Sequence, residues 1–183
     1  MPKRLFIYVF LVFTAIRPLF AIMVQLSDLV TMTKRSDLVI HGYVGDTSVI
    51  TDEFGRLITL TQIEVIDPIH NAKSGEIITV YQVGGEIPGL VAPILGGQNY
   101  SLGQEVILFG LTLDNKYVSY GAGQGKFDVV QNTNSSLVIE DLGDVEVLSP
   151  NNPLIHSFAT PLIYDDVNIF KKEIRNILNN LEN

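Results

Sequence analysis

The chain contains no cysteine. That absence excludes disulfides, a thiolate nucleophile, cysteine-ligated zinc and lipid attachment at an N-terminal cysteine, so the fold has to be held by its core. Basic residues are scarce as well, with 12 Lys and Arg against 20 Asp and Glu and a formal net charge of −8. A surface of that sign repels phosphate backbones and anionic headgroups. Nucleic acid and the membrane surface are therefore not expected partners, and a charged partner is expected to be cationic. Beyond the first two dozen residues the apolar runs are of strand length and none reads as a spanning helix. No internal repeat at solenoid period is present.

What is present begins with Met1-Pro2-Lys3-Arg4, a basic start, followed by the unbroken apolar run Leu5 to Ile16 and the flank Arg17-Pro18-Leu19-Phe20-Ala21. That is the layout of a secretory signal peptide, with cleavage expected after Ala21. An uncleaved anchor over Leu5 to Val24 is the alternative, and it would carry a costly Arg17 and a kink at Pro18. Cleavage takes away three of the 12 basic residues and none of the 20 acidic ones, moving the net charge to about −11. The mature protein is expected in the periplasm or outside the cell.

Residues 22–148 read as one β domain with a short N-terminal helix over Leu26 to Arg35. Strands are expected over Ser36 to Val49, Leu57 to Ile66, Glu76 to Val83, Gln104 to Leu113, Lys116 to Tyr120 and Lys126 to Gln131, with weaker ones over Leu137 to Glu140 and Val145 to Leu148. Pro68 to Gly75 reads as a loop, and Gly84 to Gly103, with six glycines and two prolines in 20 residues, as a long irregular one. Residues 149–164 read as a linker. From Asp165, the apolar Val167, Phe170, Ile174, Ile177, Leu178 and Leu181 recur at helical spacing, which predicts an amphipathic helix over 165–183 packed on the domain. Six to eight short strands point to a mainly β fold, an antiparallel closed or nearly closed barrel, since closure removes exposed edges. A two-sheet sandwich is the alternative.

Catalytic patterns are wanting. His41, His70 and His156 have no partner at zincin spacing, and Ser119 lacks the first glycine of a nucleophile elbow. Gly121-Ala122-Gly123-Gln124-Gly125-Lys126 has three residues between Gly121 and Gly125 where a phosphate loop needs four, and Phe127 follows the lysine. Its glycines fit a bulge or a tight strand crossing better. The acid pairs Asp52-Glu53, Glu140-Asp141 and Asp165-Asp166 read as turns and a helix cap.

Four segments carry a resemblance: Ser36 to Val44 (SDLVIHGYV), Gly84-Gly85, Gly103 to Phe109 (GQEVILF) and Gln124 to Phe127 (QGKF). Together they resemble an exported bacterial family of unknown function over about residues 29–127. More distantly the chain resembles the netrin and metalloproteinase-inhibitor type of OB-fold barrel. That likeness implies an OB-like fold; the inhibitory mechanism works through an N-terminal cysteine, which this chain lacks. The expected function is a non-enzymatic exported binding or interaction protein, whose partner is an unknown protein or small ligand, with no cofactor and no metal. Binding is expected through the Gly84 to Gly103 loop and the Gly123 to Lys126 turn, with Arg56, Gln124 and Lys126 as candidate residues. The alternatives are an enzyme whose site is assembled from those distant residues and a structural envelope component docking through its C-terminal helix.

Overall fold

In a computed structural model the chain is described over residues 23–24, 26–94, 98–131, 135–142, 146–149, 152–158 and 162–181. The expected signal peptide, 1–21, lies outside the described residues. Among the described residues no helix is long and apolar enough to cross a membrane.

The element order is β1 (Met23–Val24), α1 (Leu29–Arg35), β2 (Leu38–Thr51), β3 (Leu57–His70), β4 (Ile77–Val83), β5 (Gly85–Ile87), β6 (Leu90–Ala92), β7 (Glu105–Leu113), β8 (Lys116–Ser119), a 3₁₀ turn (Tyr120–Gly123), β9 (Lys126–Gln131), β10 (Ser136–Glu140), β11 (Glu146–Ser149), β12 (Asn152–Phe158), β13 (Ile163–Tyr164) and α2 (Val167–Asn179). The main sheet has eight strands in the order β13-β10-β9-β7-β2-β3-β4-β8, and β8 also pairs with β7. Pairing therefore runs in a ring through β2, β3, β4, β8 and β7. One link of that ring departs from the expected antiparallel pattern: β4 meets β8 in parallel through Val80 and Tyr117.

Alternation along the strands explains why they read as nearly continuous apolar runs. Leu38, Ile40, Val106 and Leu108 point to one face, where they pack with Val44, Ile63, Val65, Ile78 and Val80 from the ring strands. Val39, Ile107 and Phe109 point to the other, where they meet Phe127, Val129 and Val138 and the two helices. Both faces are buried, so both are mainly apolar and a polar side chain on either needs a partner inside the fold.

Helix α1 is capped by Asp28, whose carboxylate accepts from the Thr31 amide at 2.6 Å, and it ends on Lys34 and Arg35 as the helix dipole favours. Asp166 caps α2 by accepting from the Asn168 and Ile169 amides. The expected amphipathic stripe packs on the domain: Val167, Phe170 and Ile174 are buried in the second core, and the Phe170 ring centroid lies 5.0 Å from that of Phe127 and 4.3 Å from that of Tyr164. Burying one such ring contributes about 2–3 kcal/mol.

Three expectations need correction. Strand β3 runs on through Pro68 to His70 where a loop was expected. Its pairing with β4 spans Ile58 to Glu64 only, and the register with β2 shifts between Val39 and Ile40, so Pro68 sits at a bulge where its missing N–H costs little. The Gly84 to Gly103 segment is not wholly irregular, because β5 and β6 pair as a small ribbon turning at Pro88-Gly89. The expected linker 149–164 contains β12, paired with β11, and β13, paired with β10.

Candidate functional site

The glycine-rich segments predicted to lie together do meet. The Gln98 side-chain amide donates to the Gly123 carbonyl and, at 3.4 Å, to that of Asp141. Gly125 fits a tight crossing: its carbonyl accepts from the Phe109 amide at 2.7 Å, and a Cβ there would come within 2.5 Å of the Phe109 carbonyl oxygen.

Lys126, expected as an exposed contact, is wholly buried. It stands opposite Leu108 across the β7–β9 pair and so shares that residue's face. Its ammonium lies 2.7 Å from both the Asp128 and the Asp141 carboxylates and 5.2 Å over the Tyr100 ring. A lysine out of water is tolerated only with such compensation. Burial and the neighbouring Asp141 charge hold the Asp128 carboxyl above its ordinary range despite the lysine. Burial, with Asp141 and Asp128 adding to it, pushes the Tyr100 hydroxyl far up. Asp128 also accepts from the Gln104 side chain at 2.8 Å. The cluster ties the start of β9 to the segments on either side of it.

Gln124 is buried too. Its side-chain oxygen accepts from the Ser27 amide at 2.8 Å and its nitrogen donates to the Gly121 carbonyl at 3.2 Å. It fastens the approach to α1 onto the 3₁₀ turn. Both side chains are buried and held by internal hydrogen bonds or ion pairs, where exposed contacts were expected.

Arg56 is different. It closes the turn between β2 and β3, where its guanidinium bonds Asp52 at 2.7 Å, lies 5.2 Å from the Phe54 ring centroid and remains 57% exposed. It lines a cleft of about 300 Å³ whose walls are this turn and the β7–β8 turn and whose floor is the end of β4. Ile50, Ile58, Val83, Leu113 and Tyr81 supply apolar surface there, and Lys116, set 5.2 Å over the Tyr81 ring, is the second cation. Ile50, Phe54, Val83 and Leu113 are exposed, as are Leu90 and Val91 on the β5–β6 ribbon. The ribbon's Gly85 approaches Thr59 and Val49 on the same hairpin. Arg56 is thus separated from the buried Gln124 and Lys126, and the structure does not assemble these three into one site.

A further polar chain joins α2 to the sheet. His41 Nε2 lies 2.8 Å from a Glu105 carboxylate oxygen, and His41 Nδ1 lies 3.4 Å from the Lys171 ammonium. Lys171 and Arg175 both pair with Asp67, at 2.9 and 2.6 Å. Only a neutral ring protonated at Nε2 can donate to Glu105 while accepting from Lys171. Burial lowers the His41 pKa, the hydrogen bond to Glu105 opposing it. Burial raises the Asp67 carboxyl, but the bonds from Lys171 and Arg175 outweigh it and leave it lowered.

Neither a family model, nor a curated protein, nor a solved structure matches this chain.

Proposed function

We propose that this is an exported, non-enzymatic interaction domain that takes an extended apolar peptide segment of a partner protein in the cleft beside Arg56. One observation carries the proposal: two turns and a strand end form a cleft lined in large part by apolar side chains, of which Ile50, Val83 and Leu113 are exposed. Exposed apolar residues gathered at one place on a soluble domain mark interaction sites. Arg56 and Lys116 supply donors for the carbonyl oxygens of an extended segment.

The ring of five strands supports an OB-like reading. OB-fold ligands sit over the middle strands between the turn joining the first two and the turn joining the last two, which here correspond to the turns beside Arg56 and Lys116. Export is supported by the basic start, the apolar run and the small residue at Ala21. Leu113→Asp tests the docking. The variant should keep the melting temperature, since Leu113 is exposed, and should lose the peptide segment in calorimetric titration with peptides cut from co-purifying exported proteins. A variant that binds as tightly as the wild type would refute the site.

A further inference from the structure

We propose that the cleft enclosed by α1, the β10–β13 pair and α2 binds an aliphatic primary ammonium group, with the Glu140 carboxylate as its receptor. This goes beyond the peptide cleft, with which it shares no lining residue.

Glu140 ends β10 opposite Phe127 and is only 4% exposed. One of its carboxylate oxygens accepts from the Leu162 amide at 3.0 Å. The other, Oε1, is out of solvent and has no hydrogen-bond partner among the described residues. Burial holds this carboxyl above its ordinary range, the Leu162 amide offsetting it only in part. Glu140 opens onto a cleft of about 500 Å³ with an apolar lining of Leu26, Leu29, Val30 and Leu162.

The remaining polar groups narrow the ligand. Asp28 is occupied as the α1 cap, and Glu173 reaches the rim from α2. The Tyr164 ring adds a face that favours a cation. Its hydroxyl is pushed up by burial and then by Glu173 and Glu140, so both carboxylates act across the same space. A hard divalent cation needs about six oxygens, and no group of three His, Cys, Asp or Glu able to hold a metal exists among the described residues. A guanidinium prefers both oxygens of a carboxylate, whereas Leu162 already holds one. An ammonium on a short alkyl stem supplies the single donor that Oε1 lacks, once a turn of the Glu140 carboxyl brings that oxygen to the cleft, and lays its methylenes on the leucine and valine walls.

The test is NMR titration of the whole mature protein with n-butylammonium chloride, with n-butanol as the uncharged control. The expected result is a saturable shift of the Leu162 amide and nuclear Overhauser contacts from the butyl chain to Leu29, Val30 and Tyr164, with n-butanol giving neither. Glu140→Gln should weaken binding about tenfold or more, the effect of one charge-assisted hydrogen bond. Glu173→Gln, on the exposed side of α2, should weaken it by less. The proposal is overturned if butylammonium contacts map elsewhere or do not appear, if n-butanol binds equally, or if Glu140→Gln leaves affinity unchanged. Should that variant fail to fold, the wild-type contacts and the Glu173→Gln comparison decide.

Discussion

Replacing Lys126 by Met keeps an unbranched stem as far as Cε and removes the terminal ammonium, which isolates what that buried charge contributes. In the native fold that ammonium sits 2.7 Å from both Asp128 and Asp141, with its side chain 1% exposed and theirs 29% and 22%. Breaking a fully buried pair costs about 3–5 kcal/mol, and partial solvent access to the carboxylates places this one near the lower bound, about 3 kcal/mol. In a chain of 183 residues that is a fall in melting temperature of about 6–12 °C at neutral pH. The pH dependence separates charge from packing. Without the lysine the two carboxylates repel each other, so the folded state takes up protons more readily than the unfolded one, and the deficit should shrink as pH falls from about 7 to 4.5. Thermal melts of both proteins at those pH values measure it. An unchanged melting temperature would mean that Lys126 contributes no net stability, and a deficit equal at both pH values would assign the loss to the methylenes.

The His41 ring titrates below its ordinary value in the folded protein, so the unfolded chain binds its proton first and stability should drop as pH falls below about 6.5, levelling off past the folded pKa. His41→Gln should flatten that part of the melting curve; an unaltered slope between about pH 7 and 5 would assign it to other groups. Ile174→Asp puts a carboxylate into the fully buried seam under α2 and should cost about 4 kcal/mol or more, read by urea denaturation. An unchanged midpoint would show that α2 does not depend on that seam. Mass spectrometry of the protein purified from the extracellular or periplasmic fraction should give a mature start close to Ile22, and an intact Met1 to Ala21 segment in the membrane fraction would overturn export with cleavage.

The strands were legible because a sheet buried on both faces writes itself as apolar runs such as Val106 to Phe109, bounded by turns such as Asp114-Asn115. Helix α2 was legible from its 3.6-residue period and its Asp166 cap. Lys126 was misread because a lysine after Gly-Gln-Gly looks like an exposed turn residue. Its partners, Asp128 and Asp141, are two and 15 positions away, and only the β7–β9 register turns the side chain inward. The His41 to Glu105 bond spans 64 residues and the Arg175 to Asp67 bond 108, distances at which no spacing rule operates. The strands after Ser149 were hidden by Asn and Pro, which mark turns well but leave the pairing of short neighbouring segments unspecified.

The peptide cleft is tested most directly by placing a photo-crosslinking side chain at Leu113, on its wall, and separately at Ile77, at the other end of β4 from the cleft floor. The two are equally exposed, 61% and 60%, so surface access alone cannot distinguish them. Irradiation in the native exported fraction, followed by peptide mapping of the adducts, should give one apolar segment of a partner protein joined at position 113 and no such adduct at position 77. Equal adducts at both positions, or none at 113, would contradict docking in the cleft.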